Sequence, residues 1–585
     1  MYILGISCYC RCASAALLNN GKFVAAAEEE IFTRIKNDTS FPVNAIAYCL
    51  KSEGISIDDI DVVGFYEKPL ISFERALYQH IETFPLSFKS FLRSMPSWLS
   101  ERLRLVTLIR ARLRYKKDIM FLEHPLAHAG SFLISPYDKA AILIVDDAGE
   151  WTTTSYGLGK QNKIRLLKEI RFPSSLGLLY SAITDYLGFN VNDLDHEVMD
   201  LAAYGDMNKE SNIYYNTLKK IIDIKEDGSY MLDMNYFSFH YSDAFFSRKL
   251  CNLLGGKNRR PGELIKRRHK DIAAALQILY EEILFKMLNY IYKQTNCKNI
   301  VISGACAFNG VANGKIQKNT NFKNIWIQPN SGDNSTSIGV ASYIYYSILN
   351  NKRNFIMEDA YLGPEFSAEQ IKYFLDINKI KYKNFDSKDE LVKTTAKLIY
   401  ENNFVGWFQG RIEFGPNALG NRSILSNPCN PKMKEILNAK IKHREKFRSL
   451  ASVVCIDDAP KYFDCDNPIP EPADFMQMVY PIKKEYLNKL PAVTHVDGSG
   501  RLQTIRKEQN PLYYELIKEF GRISGFPVLI NTSFSITDKP LVCSPYDAYK
   551  CFIKNELDYL VMDKFLIKRT DNPKEIWNTE GYTGN

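Results

Sequence analysis

Three apolar runs, each followed at once by glycine and polar residues, constrain the fold of this chain most strongly. They are KAAILIVDDAGEW at residues 139–151, NIVISGACAFNGVANG at residues 299–314 and NIWIQPNSGDN at residues 324–334. Buried strands of α/β sheets read as short apolar runs, and polar groups follow where the strands end. A stretch with apolar residues at helical spacing, residues 270–294, lies between the first run and the second. The pattern therefore predicts an α/β fold.

The start of the chain predicts further strands. Residues 2–10, YILGISCYC, and residues 13–30, ASAALLNNGKFVAAAEEE, are both rich in residues that favour strands. Asn19, Asn20 and Gly21 interrupt the second run. Asn-Gly is a strong signal for a tight turn between antiparallel strands, so we expect a β-hairpin here.

Cys8, Cys10 and Cys12 occupy alternate positions near the start of the chain. On a strand that covers residues 2–10, alternate side chains share one face and cannot surround an ion unaided. Free cysteine is among the most buried residue types, so we interpret this stretch as a packed strand rather than a metal or redox site.

The length of the chain predicts more than one domain. Its 585 residues exceed what one hydrophobic core usually organises. Residues 350–365 are polar and lack periodicity, which is typical of a linker. We therefore expect one domain at residues 1–355 and a second at residues 356–585.

Composition and charge exclude several classes of protein. Hydrophobic residues make up 45% and charged residues 24%, as in an ordinary ordered protein. The net charge of +8 is too small for a protein that envelops nucleic acid, and no apolar run is long enough to cross a bilayer. The twelve cysteines have no framework spacing, which favours a reducing compartment. We expect a cytoplasmic protein without nucleic-acid or membrane partners.

A basic stretch, ERLRLVTLIRARLRYKK at residues 101–117, carries seven arginines and lysines. A membrane-surface helix or a nucleic-acid-binding arm is one interpretation. Apolar residues at helical spacing, among them Leu105 and Ile109, favour the alternative of a packed helix whose basic face is solvated.

Two histidines and two aspartates form a candidate metal site. On a helix, His124 and His128 share one face at the i, i+4 spacing. Asp146 and Asp333 each follow a predicted strand. This donor set suits Fe²⁺, Mn²⁺ or Zn²⁺, although two histidines at this spacing also occur in structural helices.

A second constellation lies in the C-terminal half of the chain. Basic and hydroxyl side chains occur there beside glycine-rich turns, whose N–H groups can approach an anion. We favour a pocket for phosphate or carbamoyl phosphate over surface residues paired with carboxylates. The residues are Arg422, Lys442, Arg444, Arg448, Arg501 and Ser533.

The common templates for nucleotide binding and hydrolysis are absent from the sequence. It contains no GxxxxGK[ST] loop, no GxGxxG after a strand and no GxSxG elbow. A less common chemistry is therefore expected.

At the residues above, the chain resembles the O-carbamoyltransferases of antibiotic and nodulation-factor biosynthesis. The resemblance spans nearly the whole chain, and its motifs occur in the family's order. They include HPLAHAGS at 124–131, GWFQGRIEFGPNALGNRSIL at 406–425, NAKIKHREKFR at 438–448, PAVTHVDGSGRLQT at 491–504 and PVLINTSF at 527–534.

The resemblance implies a two-domain α/β enzyme. Its N-terminal domain is expected to be of the actin-like ATPase class, related to the tRNA threonylcarbamoyl transferase. Its C-terminal domain is expected to be similar to the YrdC-like fold that makes threonylcarbamoyl adenylate. The C-terminal domain would form carbamoyl adenylate from carbamoyl phosphate and ATP, with Mg²⁺. The N-terminal domain, with Fe²⁺ or another divalent metal, would pass the carbamoyl group to a hydroxylated small molecule. A homodimer stays open.

The resemblance also implies three sets of site residues. Carried over to this chain, the metal ligands are His124, His128, Asp146 and Asp333, the carbamoyl-phosphate contacts are Asn417, Arg422, Lys442, Arg448, Arg501 and Ser533, and the nucleotide contacts are Gly304, Asn309 and Gly332.

The chain departs from the family pattern at its expected catalytic positions. Arg11 and Cys12 stand where the family has His and Asp, Asn417 replaces an arginine, and Asp147 replaces a glycine. An arginine stays protonated and cannot accept a proton. Three hypotheses therefore stand: an O-carbamoyltransferase, a relative with a different acceptor or transferred group, and a catalytically silent binding partner.

Overall fold

A computed structural model describes residues 1–191 and 196–572 of the chain. These residues divide into two compact units. The first contains residues 1–29 and 37–357. The second contains residues 30–36 and, among the described residues, everything from Glu358 onwards. Residues 30–36 join the second unit although they are far from it in sequence. The activity of each unit stays a prediction.

The first unit contains two five-stranded sheets within the described residues, and a small two-stranded ribbon. The α/β prediction is confirmed. The strands are β1 (Tyr2–Ser7), β2 (Ser14–Asn19), β3 (Lys22–Glu28), β4 (Val62–Phe65), β5 (Asp118–Phe121), β6 (Lys139–Val145), β7 (Thr152–Lys160), β8 (Lys163–Arg171), β9 (Ile222–Ile224), β10 (Tyr230–Leu232), β11 (Asn299–Ser303) and β12 (Asn324–Ile327).

The two large sheets share one topology. The first has the order β3-β2-β1-β4-β5 and the second the order β8-β7-β6-β11-β12. Each begins with three antiparallel strands, and two later strands then add parallel to the first. The sequence shows no internal repeat, yet the fold is duplicated. The duplication agrees with the expected actin-like ATPase class, and it makes the β1–β2 loop equivalent to the β6–β7 loop.

The N-terminal hairpin is confirmed, but the interpretation of the cysteines is wrong in part. β2 and β3 pair through the two-residue turn Asn20–Gly21, and both residues have positive φ, 47° and 90°. β1 ends at Ser7, so Cys8, Cys10 and Cys12 lie in a loop rather than along one strand face. Cys8 and Cys12 are buried there, and no disulfide forms among the described residues.

Helices of the first unit surround the two sheets. The helices predicted at residues 72–117 and 270–294 are confirmed. Those of six or more residues are α1 (Val43–Ser52), α2 (Pro69–Glu82), α3 (Phe88–Ser100), α4 (Leu105–Leu113), α5 (His124–Ala129), α6 (Leu176–Tyr186), α7 (His196–Ala202), α8 (Ile213–Leu218), α9 (Arg248–Leu253), α10 (Arg267–Thr295) and α11 (Thr336–Ser342).

The second unit is built on one large mixed sheet. Among the described residues its order is β13-β21-β20-β14-β15-β19-β16-β18-β17. Its strands are β13 (Lys383–Asn384), β14 (Val405–Phe408), β15 (Arg422–Ser426), β16 (Ala451–Cys455), β17 (Met478–Pro481), β18 (Ser499–Ile505), β19 (Val528–Ser533), β20 (Tyr559–Met562) and β21 (Phe565–Lys568), and its helices of similar length are α12 (Ala368–Ile377), α13 (Lys388–Tyr400), α14 (Pro511–Ser524) and α15 (Pro545–Lys554).

A hydrophobic core joins this sheet to two of its helices. It includes Leu391 and Ile399 of α13, Ile517 and Phe520 of α14 and Trp407 of β14, and all five side chains are buried. Burying each large side chain contributes about 1.5–3 kcal/mol to the free energy of folding. This core therefore holds the sheet in place, and the sheet positions the loops at its ends. The YrdC-like assignment of this unit stays a prediction.

No helix among the described residues has both the length and the apolarity needed to span a bilayer.

Candidate functional site

Four polar side chains from three parts of the first unit meet at one point. His124 and His128 lie one turn apart on α5, Asp146 directly follows β6, and Asp333 begins a short 3₁₀ turn after β12. One ligand atom from each residue lies within 4.8 Å of the others. The fold therefore brings together the four residues that the sequence singled out.

The contacts among these four side chains are close. His124 Nε2 is 2.8 Å from Asp146 Oδ2 and 3.1 Å from His128 Nε2. Asp333 Oδ1 lies 3.6 Å from His124 Nε2 and 3.7 Å from His128 Nε2. Two imidazole nitrogens thus face each other and two carboxylate oxygens, which is a convergent donor set rather than a chain of hydrogen bonds.

Neighbouring polar groups fix the orientation of these side chains. Both carboxylate oxygens of Glu150 accept the N–H of His124, each at 3.0 Å. The Ser303 hydroxyl is 3.1 Å from His128 Nδ1, and the N–H of Ala305 donates to Asp146 Oδ1 at 2.9 Å. Such outer contacts hold ligands in the geometry that a metal requires.

The electrostatics of the cluster suit a cation. Burial disfavours the charged imidazole, but hydrogen bonding to Asp146 and the charge of Asp333 outweigh burial and raise the pKa of His124 to about 9. Burial alone would raise the pKa of Asp146, yet hydrogen bonds from both histidines hold it well below its usual value. Buried nitrogen and oxygen donors with excess negative charge fit a divalent first-row metal ion.

The two equivalent loops, β1–β2 and β6–β7, meet beside this cluster. Arg11 of the first loop forms an ion pair with Asp147 of the second. Burial raises the pKa of Asp147 to about 6 despite the nearby guanidinium. Cys12 is buried, and its Sγ lies 3.8 Å from the carbonyl oxygen of Ala13, which favours a packing role.

A pocket opens next to the Arg11–Asp147 pair. Its wall includes Tyr180, Tyr280, Cys306 and Asn309. Asn309 caps the short helix Gly310–Asn313 and exchanges hydrogen bonds with the buried Gln277. Sequence reasoning did not identify either tyrosine, because each reads as an ordinary apolar position of its helix.

The two glycines predicted to contact nucleotide lie in turns after β11 and β12. Gly304 has φ of 94°, and a Cβ there would lie 2.3 Å from the carbonyl oxygen of Val145. Gly332 immediately precedes Asp333. Both turns border the four-residue cluster, and the N–H of Gly304 donates to the carbonyl of Ser331 in the other turn.

In the second unit, most of the predicted anion-binding residues lie at one end of four adjacent strands. Arg422 begins β15, Ser533 ends β19, Arg448 lies just before β16, and Arg501 is near the start of β18. These strands are neighbours in the sheet, and their register places these ends side by side.

Lys442 approaches the same end of the sheet. It follows a π-helical turn, Leu437–Ile441, and only 7% of its surface is exposed. Its Nζ donates to the carbonyl of Ser533 at 2.6 Å and lies 3.1 Å from Ser535 Oγ. An ammonium group at this end of the sheet is suited to contact an anionic ligand.

Arg422 differs from the other predicted contacts. It is fully buried, and its terminal nitrogens donate to the carbonyls of Gln409, Gly410, Asn421 and Pro364. Its guanidinium stacks on Phe408, and burial lowers its pKa to about 10. The geometry therefore gives Arg422 a structural role, and we leave it out of the anion pocket.

The glycine-rich loop before β15 is organised by an acid that sequence reasoning missed. Glu413 is buried, and its Oε1 accepts the N–H groups of Leu419, Asn421 and Arg422. Asn417 of the same loop donates to the carbonyl of Phe475 at 3.2 Å. An acid inside a glycine-rich turn was the signal in the sequence that could have identified Glu413.

Comparisons with known proteins match most of the length of the chain. The family model described as "Carbamoyltransferase N-terminus" matches residues 2–342, and the model described as "Carbamoyltransferase C-terminus" matches residues 396–569. The uncharacterized protein sll1178 of Synechocystis sp. is 40% identical over 98% of this chain and 97% of its own length. The nodulation protein NolNO of Sinorhizobium fredii is 32% identical over 97% of this chain and 80% of its own length.

Likeness to solved structures is weak. The HypF protein of T. kodakarensis aligns with 60% of this chain and 48% of its own, at 12% identity and a TM-score of 0.31.

Proposed function

Because the chain belongs to the carbamoyltransferase family, it is a transferase, and we propose that it moves a carbamoyl group from carbamoyl phosphate to a hydroxyl of a small molecule in an ATP-dependent reaction. The reaction has two steps. Carbamoyl phosphate, ATP and water give carbamoyl adenylate, phosphate and pyrophosphate. The oxygen of the acceptor hydroxyl then attacks the carbamoyl carbon, AMP leaves, and the hydroxyl proton is released to solvent.

The single observation that carries this proposal is the convergence of His124, His128, Asp146 and Asp333 beside a pocket. Nitrogen donates into the carbonyl of a carbamoyl group, which makes the group resistant to attack. His124, His128, Asp146 and Asp333 would hold a divalent ion, which would supply Lewis-acid stabilisation of the negative charge that develops. Glu150, Ser303 and the N–H of Ala305 keep the ligands aimed at one point.

In the first unit, Arg11 provides a fixed positive charge in the pocket. Its guanidinium is held by Asp147, and both residues line the pocket wall. We assign Arg11 to the phosphate of carbamoyl adenylate, because a guanidinium binds phosphate oxygens well but carries no proton acceptor. Cys12 has only a packing role in this proposal.

In the second unit, we assign formation of carbamoyl adenylate to the end of the sheet that carries Lys442, Arg448, Arg501 and Ser533. Lys442 is held by the Ser533 carbonyl, and the arginines lie at the starts of neighbouring strands. Positive charges at the end of a rigid sheet are suited to bind carbamoyl phosphate. Asn417 contributes a neutral donor, and Gly304, Asn309 and Gly332 stay predicted nucleotide contacts in the first unit.

The Arg11–Asp147 pair favours a second candidate function. The family pattern places a histidine at position 11, and this chain therefore lacks that proton acceptor. An acceptor that is already anionic, such as a carboxylate or phosphate group, needs no base and is attracted by Arg11. The fold and the carbamoyl donor are unchanged in this alternative.

The proposal is tested by measuring metal content and pyrophosphate release. Wild-type protein should bind about one divalent ion per chain, and it should release pyrophosphate from ATP only when carbamoyl phosphate is present. The His124→Ala/His128→Ala double variant should lose the metal but still release pyrophosphate, whereas the matched His240→Ala control should resemble wild type. Absence of pyrophosphate above background in the wild type contradicts the proposal. The acceptor, iron as the metal, the cytoplasmic location and a homodimer stay predictions.

A further inference from the structure

The strongest concentration of charge in this chain lies in one short segment. Between residues 83 and 117 there are nine basic residues and one acidic residue, Glu101. This surplus equals the net charge of +8 of the whole chain, so all other residues together are electrically balanced. The basic residues of the segment are Lys89, Arg93, Arg102, Arg104, Arg110, Arg112, Arg114, Lys116 and Lys117, and all except Arg102 are exposed.

The same segment exposes large apolar side chains. Phe84, Leu86, Phe88, Leu92 and Leu99 are each between 51 and 68% exposed. The rings of Phe84 and Phe88 are in contact, with centroids 6.5 Å apart, so the turn before α3 is continuous with the helix. Isolated exposed apolar residues are common on proteins, but five in sixteen residues form a patch that indicates a partner.

Helical geometry explains why this patch stays uncovered. Phe88, Leu92 and Leu99 follow one another on one side of α3, directly beside the buried Met95 and Trp98. The apolar face of α3 is therefore wider than the part that the protein itself covers. In α4, by contrast, Leu105 and Ile109 are buried, as the sequence predicted, and the basic side chains face solvent.

The segment is firmly attached to the rest of the first unit. Arg102 stacks on Trp98 and donates to the carbonyl of Tyr9 in the β1–β2 loop. Arg93 pairs with Asp243. The apolar residues and the positive charges are therefore held on one ordered scaffold.

Although composition alone predicts no membrane partner, we propose that residues 83–117 form a peripheral docking surface for an anionic lipid bilayer. Phe84, Leu86, Phe88, Leu92 and Leu99 enter the boundary between head groups and acyl chains. The basic residues of α4 and of the turn after it contact anionic head groups, and their long aliphatic stems cover apolar surface.

A bilayer fits these residues better than the other classes of partner. A nucleic acid would use the basic residues but would leave the aliphatic side chains in water. An acidic protein would need a shaped apolar groove, whereas these residues project from a turn and one side of a helix. The inference goes beyond the proposed function and does not depend on it, because docking requires neither ATP nor metal.

Vesicle flotation with the full-length protein tests the proposal. Wild-type protein should float with phosphatidylcholine vesicles that contain 30% phosphatidylglycerol in the bilayer, and binding should fall at least tenfold with phosphatidylcholine alone. Phe84→Ser/Leu86→Ser/Leu92→Ser should abolish flotation. Arg110→Gln/Arg112→Gln/Arg114→Gln should weaken it by about a hundredfold, because each basic residue near an anionic surface contributes several-fold in affinity.

Matched variants on the second unit provide the controls. Tyr373 is 68% exposed, and Lys372, Lys383 and Lys393 are exposed lysines far from the segment in sequence. Tyr373→Ser and Lys372→Gln/Lys383→Gln/Lys393→Gln should float like wild type. The proposal is overturned if wild-type protein does not bind the anionic vesicles, or if both segment variants bind like wild type. It is also overturned if sedimentation shows a dimer that only the apolar variant dissociates while vesicle binding is absent, since the patch is then a self-association interface.

Discussion

Arg11 and Asp147 form an ion pair across two loops that hold the same position in the two sheets of the first unit. The family pattern expected from the resemblance has histidine at the position of Arg11 and glycine at the position of Asp147. The two departures from the family pattern therefore touch each other. They are best understood as one coupled change rather than two independent ones.

The pair should be energetically coupled. Arg11→Ala and Asp147→Ala should each lower the free energy of unfolding by about 1–2 kcal/mol, because each leaves a partly buried charge without its partner. The free energy of unfolding of the double variant should fall by about 1 kcal/mol less than the sum of the losses in the two single variants. Urea denaturation of the four proteins measures this coupling, and strict additivity would contradict it.

Restoring the family residues should require both changes. Arg11→His alone leaves the Asp147 carboxylate beside Asp146 and Asp333 without the guanidinium, so it should remain poorly active on a neutral hydroxyl acceptor. Arg11→His/Asp147→Gly should raise carbamoyl transfer to such an acceptor by tenfold or more. If the double variant gains nothing while wild type transfers to an anionic acceptor, the second candidate function is favoured.

The metal cluster should make stability depend on pH. The pKa of His124 is raised from 6.5 to about 9, so its charged form stabilises the metal-free fold fully below pH 6.5, and this contribution is lost as pH rises to 9. In EDTA the melting temperature should therefore fall between pH 6.5 and 9, with a loss of up to about 3 kcal/mol.

The His124→Ala/His128→Ala double variant supplies the control for this pH dependence, since the pKa values of both imidazoles are raised and without them the melting temperature should be nearly flat over the same interval. A saturating divalent metal should also remove the fall, because bound imidazole is neutral at every pH in the range. A metal-free wild type that becomes more stable towards pH 9 would show that the carboxylates do not hold a proton on His124.

Lys442 should be essential for the first half-reaction. Lys442→Met should raise the KM for carbamoyl phosphate or lower kcat for pyrophosphate release by about a hundredfold, because a charge-assisted contact to phosphate contributes roughly 1.5–3 kcal/mol. Lys446→Met removes an exposed lysine four residues away that pairs with Glu435, and it should have no effect. Equal rates in the two variants would exclude Lys442 from the donor site.

Arg422 should matter for stability rather than for donor binding. Arg422→Met removes the guanidinium that donates to the carbonyls of Gln409 and Gly410, which should lower the free energy of unfolding by about 3 kcal/mol or more. Arg522→Met, at an exposed arginine, should change it by less than about 0.5 kcal/mol. A stable Arg422→Met protein with a raised KM for carbamoyl phosphate would contradict this structural role and would indicate that Arg422 binds the anion.

Gly304 should tolerate no side chain. Gly304→Ala combines a positive φ with a Cβ that would lie 2.3 Å from the Val145 carbonyl, and it should disturb the Ala305–Asp146 hydrogen bond and weaken metal binding. Gly54→Ala is the matched control, since Gly54 also has positive φ but has open space around it. Both variants should lose about 1 kcal/mol from backbone strain, and only Gly304→Ala should lose metal.

The sequence predicted those features that depend on local patterns. The apolar run before Asp146 predicted strand β6, the Asn20–Gly21 pair predicted a hairpin, and the spacing of His124 and His128 predicted one helix face. Each of these depends on backbone geometry within a few residues, and such rules are readable from one chain.

Features that depend on tertiary contacts were not predictable in this way. Arg11 and Asp147 are 136 positions apart, and nothing local indicates that their loops meet. In the sequence, Arg422 lies beside glycine-rich turns, as a phosphate-binding arginine would. Only the structure shows that it is buried among carbonyl groups and has a structural role instead. The duplication of the sheet is not visible as a sequence repeat, because many different apolar residues can occupy the same strand positions.

Glu150 connects two distant parts of the first unit through a single carboxylate. Its oxygens accept the N–H of Lys68, which precedes α2, and the N–H of His124, which begins α5. One carboxylate therefore fixes both the backbone at the start of α2 and the backbone that carries an imidazole of the metal cluster, so losing it would leave two N–H groups from distant helices without their acceptor.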